Sequence, residues 1–460
     1  IPNPKLPSPN AYDSYVAATQ QLDFASREQL AYAIRPHRVG TPIPVLPTSP
    51  ARSSAALGPA PMQKRAYSSR EKQWLLKRNA PALQALRKGF AFPYRQPPLR
   101  TNYYDSDRQV ADAFRHYVSF RQLSNVLILQ AQLQKARGDW SGALDTCLDG
   151  VRLGIDMPRG APLTGALIGQ SLETLARAEA WACVPHLSAS QSRSTVLRLQ
   201  KLEKGRVPFA QTLQEEKWSL QAALVLAFRD PNWRNTLFNR DNDSPYRELG
   251  MRASFLSKQE ILDRVSRNLD AKIANARLPY SRQQKEFGAD PLSEILGAGY
   301  VSNASNSFTR CQTQSALLVT TLALQAYRVE HKNYPKTLNA LVPRYLSAVP
   351  LDPFANRQTL RYKLQPLRYI GGIRHIPTGR MVANRDYFRG APPSVPAKVP
   401  ETKPRFEYSI TPYTLYSLGA DGQDDGGKPI ENKARTTSTR DRYATRSNQR
   451  GDIVAGINTQ

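Results

Sequence analysis

Four aspartates near the end of the chain form a pattern that points to chemistry. Asp421, Asp424 and Asp425 lie in a glycine-punctuated stretch, LGADGQDDGG, and Asp452 follows in a Gly-Asp-Ile triplet. Calcium is a hard cation that takes roughly six to eight oxygen ligands from carboxylates and backbone carbonyls. Glycines let a loop wrap tightly around such an ion. Two other arrangements suit the same residues. One is an ordinary polar turn. In the other, the carboxylates are met by arginines of the intervening basic segment: Arg435, Arg440, Arg442, Arg446 and Arg450.

No pattern points to catalysis. The histidines (His37, His116, His186, His331 and His375) are scattered, without metal-ligand spacing. Glu215 and Glu216 adjoin on an expected helix, so their side chains diverge by about 100° and cannot work on one bond as a pair; a solvated helix face is the expectation. No nucleophile elbow, phosphate-binding loop or dinucleotide fingerprint is present. The chain is expected not to be an enzyme.

The elements that must position the aspartates begin with a helical pattern over 306–332. Its apolar residues (Leu317, Leu318, Val319, Leu322, Leu324, Tyr327, Val329) nearly encircle the axis, so it must be covered on most sides and is expected to bridge a helical body and a sheet. Pro335 ends it. A short amphipathic run follows (Leu338, Leu341, Val342, Leu346), then a turn framed by Pro350 and Pro353. The alternation of Leu360, Tyr362 and Leu364 reads as a strand. β-Structure is expected almost wholly within 355–425.

Upstream the periodicity is helical. Asn10 caps a helix expected to reach about Ile34, and another is expected over 69–88. A Pro/Ser/Thr/Ala arm spans 36–61, and irregular chain 91–103. Residues 105–154 carry the strongest signal, with Gly138-Asp139-Trp140 as a turn and Ala131, Ala143 and Gly150 as small contacts; this resembles one tetratricopeptide repeat. Further helices are expected at 163–183, 192–204, 208–228 and 258–276, with a surface loop at 229–250.

The segment from Tyr334-Pro335 through Leu341-Val342-Pro343, Tyr345-Leu346, Pro350 to Pro353 and Asn356, answered by Ser417 to Gly422 and Gly451-Asp452-Ile453, resembles the globular half of the major pseudopilin of type II secretion and related type IV pilin-like proteins. It covers roughly 306–460. The resemblance implies a long helix leading into a small antiparallel sheet, and a calcium-binding loop using Asp421, Asp452 and the Leu418 carbonyl, with Asp424 or Asp425 as further ligands. Two departures stand out: about 300 unrelated residues replace the family's hydrophobic N-terminal helix, and a basic insert, 428–450, divides the loop. The expected fold class is α+β: a large irregular all-α helical body followed by a small C-terminal antiparallel β domain of pseudopilin type. The expected divisions are 1–104, 105–300 and 301–460.

The chain has 460 residues, with 64 Lys+Arg against 37 Asp+Glu, a net charge of +27 that favours an anionic partner such as nucleic acid, acidic glycan or a membrane surface. Residues 24–104 hold fourteen cations against two acids, and 357–407 eleven against three. No nucleic-acid-binding fold signature accompanies them. Cys147, Cys183 and Cys311 are too few for a disulfide scaffold; inert buried thiols are expected, a Cys147–Cys183 bridge being the alternative. No apolar run reaches the roughly 18 residues of a membrane span. The proline-rich start, IPNPKLPSPN, reads as a stalk, so an anchor or signal is expected upstream of Ile1. These features predict a non-catalytic, extracytoplasmic structural protein of a cell envelope or filament-type assembly that self-associates or binds envelope proteins. The alternative is an accessory protein gripping an anionic polymer through its basic arms.

Overall fold

The computed structural model describes residues 5–23, 27–34, 43–44, 62–63, 65–98, 106–238, 254–284, 292, 301–364, 412–431 and 450–459. Most of them are helical. The helices are α1 (Ala11–Gln20), α2 (Arg27–Ala33), α3 (Ser69–Gly89), α4 (Ser106–Ala136), α5 (Trp140–Asp156), α6 (Leu163–Trp181), α7 (Ala189–Lys204), α8 (Phe209–Ala227), α9 (Trp233–Phe238), α10 (Lys258–Ala276) and α11 (Val301–His331). The strands β3 (Arg361–Lys363), β4 (Thr414–Ser417) and β5 (Ile453–Val454) form an antiparallel sheet in sequence order, Tyr362 opposite Leu415 and Ser417 opposite Ile453. The architecture is thus broadly α+β.

Local chemistry explains the helix boundaries. Ser68 with Glu71, Ser188 with Gln191 and Ser257 with Glu260 form reciprocal capping boxes at the starts of α3, α7 and α10. The α4–α5 turn follows the expected hairpin: Gly138 takes φ 77°, and the Asp139 carboxylate accepts the Gly142 amide at 2.9 Å. Close approach of α5 and α6 requires glycine. A Cβ at Gly154 would lie 2.5 Å from the Gly169 carbonyl oxygen.

Several expectations need correction. The helix expected from Asn10 to Ile34 ends at Gln20, because the Asp23 amide donates to Asn79 and the Asp23 carboxylate is gripped by Arg78 at 2.7 and 3.0 Å, pulling the chain onto α3. The surface loop expected at 229–250 contains α9, whose Trp233 and Phe238 are drawn into an apolar cluster with Phe228 and α10. Strands also occur outside 355–425: β5 beyond its far end, and a two-residue pair, β1 (Ile43–Pro44) in the arm with β2 (Met62–Gln63) just after it. The rest of the 36–61 arm lies outside the described residues, as do residues 365–411 and 432–449.

One apolar core joins the helical body to the sheet. It runs from Leu144 and Leu148 of α5 through Ala180 of α6 and Leu199 of α7, past Leu317, Leu318 and Leu322 of α11, to Leu341, Phe354, Leu415 and Ile453. Helix α11 is therefore covered on several sides and acts as the expected bridge. A second core lies among α1, α3 and α4, around Tyr15, Leu75, Leu86 and Phe120.

Candidate functional site: a carboxylate loop on the sheet

The loop between β4 and β5 is anchored by a carboxylate outside it. Asp352, between Pro350 and Pro353, is buried; one of its oxygens accepts the Ser417 hydroxyl at 2.7 Å and the Phe354 amide at 3.0 Å, and the other accepts the Leu418 amide at 2.9 Å. Burial raises its pKa against these donors. The PLDP turn and the start of SLGADG are thereby locked together. Leu418 itself packs with Tyr416 and Val454.

Beyond this clamp the chain turns sharply. Gly419 has φ 71°, and a Cβ there would lie 2.7 Å from the Gly451 carbonyl oxygen. Two strand-like contacts close the loop, the Ile430 amide to the Asp452 carbonyl at 3.0 Å and the Asp452 amide to the Lys428 carbonyl at 2.8 Å.

The four aspartates are placed differently. Asp421 is half-buried and accepts backbone amides, from Gln423 at 3.2 Å and Gly451 at 3.3 Å. Asp424 is exposed and accepts the Tyr416 hydroxyl at 3.0 Å and the Gly426 amide at 2.9 Å, with Arg361 at 3.5 Å. Partial desolvation opposes its ionisation, but these donors and Lys363 outweigh it and hold Asp424 below the usual carboxylate range. Asp425 is exposed beside it.

Asp452 is the unusual group. Its carboxylate is wholly buried; one oxygen accepts the Gly427 amide at 2.7 Å, and the other, Oδ1, has no hydrogen-bond partner. Burial first, with the negative charges of Asp424 and Asp425 adding to it, pushes its pKa up to about 7. The structure thus brings Asp424 and Asp425 to bear on Asp452 and turns Asp421 toward the Gly451 backbone. Among the described residues, no three carboxylate, imidazole or thiol groups converge as a metal cage. Of the arginines proposed as substitutes, Arg450 is exposed and the others lie outside the described residues. The buried, unpartnered Oδ1 is nevertheless the kind of donor that a hard cation satisfies.

Elsewhere, sequence reasoning missed a buried ionic cluster. Glu173 and Arg177 of α6 are 0% and 1% exposed and paired with each other. Arg206 binds the same Glu173, at 3.0 Å to one oxygen, and also Glu203 at 2.7 Å. Arg177 also donates to Ser315 of α11 at 3.0 Å, and neighbouring Gln314 donates to the Asn458 carbonyl at 3.4 Å. The four charges cancel, and they sit where the helical body, α11 and the chain end meet. The (i, i+4) spacing of Glu173 and Arg177 was the available signal, but it equally describes an exposed pair.

Glu215 and Glu216 are not on a solvated face, contrary to expectation. Glu215 is buried with Arg95 at 3.7 Å, and Glu216 accepts the Leu163 amide at 2.7 Å, capping α6, whose Pro162 supplies no side-chain cap. Cys147, Cys183 and Cys311 are free and buried. Burial pushes the Cys183 thiol up to about 11 and raises Cys147 well above its ordinary value, as suits inert thiols.

No family model matches the chain, and neither the curated proteins nor the solved structures contain a match to it. No helix among the described residues is long and apolar enough to cross a membrane.

Proposed function

We propose that this chain is a non-catalytic structural protein of an extracytoplasmic envelope or filament-type assembly, its C-terminal part being a pseudopilin-type β domain closed by calcium. The observation that carries this reading is the Asp352 clamp. Two segments that resemble the pseudopilins, PLDP and SLGADG, are more than sixty residues apart in the chain yet share one buried carboxylate, through the Ser417 hydroxyl and the Leu418 amide. Motifs that depend on each other physically are better support than motifs that merely occur in order.

Calcium would be held by Asp452, whose unpartnered Oδ1 needs a positive partner, with Asp424, Asp425, Asp421 and the Leu418 carbonyl as the remaining oxygen donors. When bound, the cation neutralises carboxylates that otherwise repel one another. The chain's own part is to present those oxygens on glycine turns and to fix the loop against β4 through Asp352.

Self-association would use surfaces other than α11, because α6, α7 and the sheet already cover that helix. The proline-rich arm 36–61 is the candidate contact. Electron microscopy of native material tests the reading, with filaments or rings expected; deletion of 36–61 should leave a folded monomer. Monomers alone in native material, or an unchanged assembly after the deletion, would overturn it.

A further inference from the structure

The far end of α11 carries a concentrated positive patch. Glu330 accepts from Arg193 of α7, from Arg344 at 2.8 Å and from the Tyr345 hydroxyl at 2.6 Å. One carboxylate thus gathers two guanidiniums and cannot neutralise both. Arg344 remains 65% exposed and Arg193 35%. Lys332 and Lys336 are exposed just beyond, and Arg328 lies one helical turn before Lys332. Segments 184–197 and 325–351, which build this face, contain five Lys/Arg and Glu330 as their sole acid before the buried Asp352. The helix C-terminus adds only about half a negative charge, so a clear positive excess remains.

The aromatic rings of the patch serve as floors beneath the cations. The Arg328 guanidinium lies 6.0 Å from the Tyr334 ring centroid, and that of Arg344 5.8 Å from the Tyr345 ring. A guanidinium resting on a ring keeps its N–H edge in plane for other partners. Arg344 gives one N–H to Glu330 and Arg328 its Nε–H to Gln325 at 3.2 Å, and their remaining N–H groups are of the kind that bind phosphate. Tyr345 is buried, so its ring is closed to stacking with a base.

We propose that this face, centred on Arg344, Lys332 and Lys336, binds the phosphodiester backbone of a nucleic acid without regard to base sequence. The contacts would be electrostatic, with the arginines pre-aligned by Glu330 and by the rings beneath them. The proposal is independent of the filament reading: a monomer in the microscope would leave it standing, and failure here would leave that reading untouched.

The test is fluorescence anisotropy of a labelled oligothymidylate with the full chain over a salt series. Each single-strand phosphate contact adds about 0.7 to the log–log salt slope. The variant Lys332→Gln/Lys336→Gln/Arg344→Gln should therefore show a slope smaller by about two, and roughly hundredfold weaker binding near 0.1 M salt. A charge-matched control at exposed positions on and just after α10, Arg264→Gln/Arg267→Gln/Arg277→Gln, should bind as wild type. Circular dichroism checks that both variants fold; should the first fail to, Lys332→Gln/Lys336→Gln, at exposed positions, is read instead. Absence of binding by wild type at low salt, equal loss in the control, or equal displacement by polygalacturonate would overturn the proposal; the last would indicate a carboxylate polymer partner.

Discussion

Replacing Asp452 with asparagine should stabilise the calcium-free protein at alkaline pH. The carboxyl is wholly buried with one oxygen unpartnered, and its pKa rises from 3.8 to about 7. A group whose folded pKa exceeds its unfolded value holds its proton more tightly in the fold. Its stabilising contribution is complete below about pH 3.8 and is lost as pH rises through about 7. At about 1.36 kcal/mol per pKa unit, the loss across that window reaches at most about 4 kcal/mol. The carboxamide introduced by Asp452→Asn would keep the oxygen that accepts the Gly427 amide and would not titrate. Urea denaturation of wild type and Asp452→Asn in chelator at pH 5 and pH 8 measures the difference; the variant should gain on wild type by about 2.6 kcal/mol between the two, since part of the loss is complete below pH 5. Calcium at a hundred times its dissociation constant should restore about 2.7 kcal/mol to wild type and nothing to the variant. A variant destabilised equally at both pH values would mean that the carboxylate is satisfied as it stands, and the reasoning would fail.

The buried cluster on α6 makes a directional prediction. Arg177→Met should cost about 3–5 kcal/mol by breaking a buried ion pair. Glu173→Leu should cost more, since it leaves buried Arg177 without its carboxylate while Arg206 keeps Glu203, whereas Arg177→Met leaves Glu173 paired with Arg206; equal or smaller loss in chemical denaturation would contradict the shared-carboxylate geometry. At the α5–α6 crossing, a Cβ at Gly154 meets backbone at 2.5 Å, whereas one at Gly150 meets the Ala176 side chain at 2.8 Å. Gly154→Ala should therefore lower the melting temperature more than Gly150→Ala, the second costing about 1–3 kcal/mol.

The parts of the fold that were legible in the sequence are those governed by local rules. The turn at Gly138-Asp139-Trp140 was readable because its conformation and cap depend on residues within four positions. Helix α11 was readable because residues apolar on all sides have few ways to be buried. The end of α1 was not, since it depends on Asn79 and Arg78, more than fifty residues away. Buried charged residues were the least legible. Glu173 and Glu215 look solvated by type, and their burial depends on Arg206 and Arg95, which no periodicity links to them. The candidate loop was legible as a group of acids, but which aspartate would be buried without a full set of partners was not. That depends on the Gly427 turn and on the neighbouring exposed acids.

The core shared by the helical body and the sheet has a consequence for synthesis. Leu317, Leu318 and Leu322 share one apolar core with Ile453, more than 130 residues downstream, and Gln314 of the same helix is tied to Asn458. A chain emerging from the ribosome lacks part of the cover over α11 until residues 453–458 arrive. Contacts of such long sequence separation form late, because the loop they close costs entropy first. Chains cut short before Ile453 would carry a preformed apolar helix with an incomplete cover, and so present a surface that proteases and chaperones recognise. Residues 453–458 therefore act as a late check on the closure of this core.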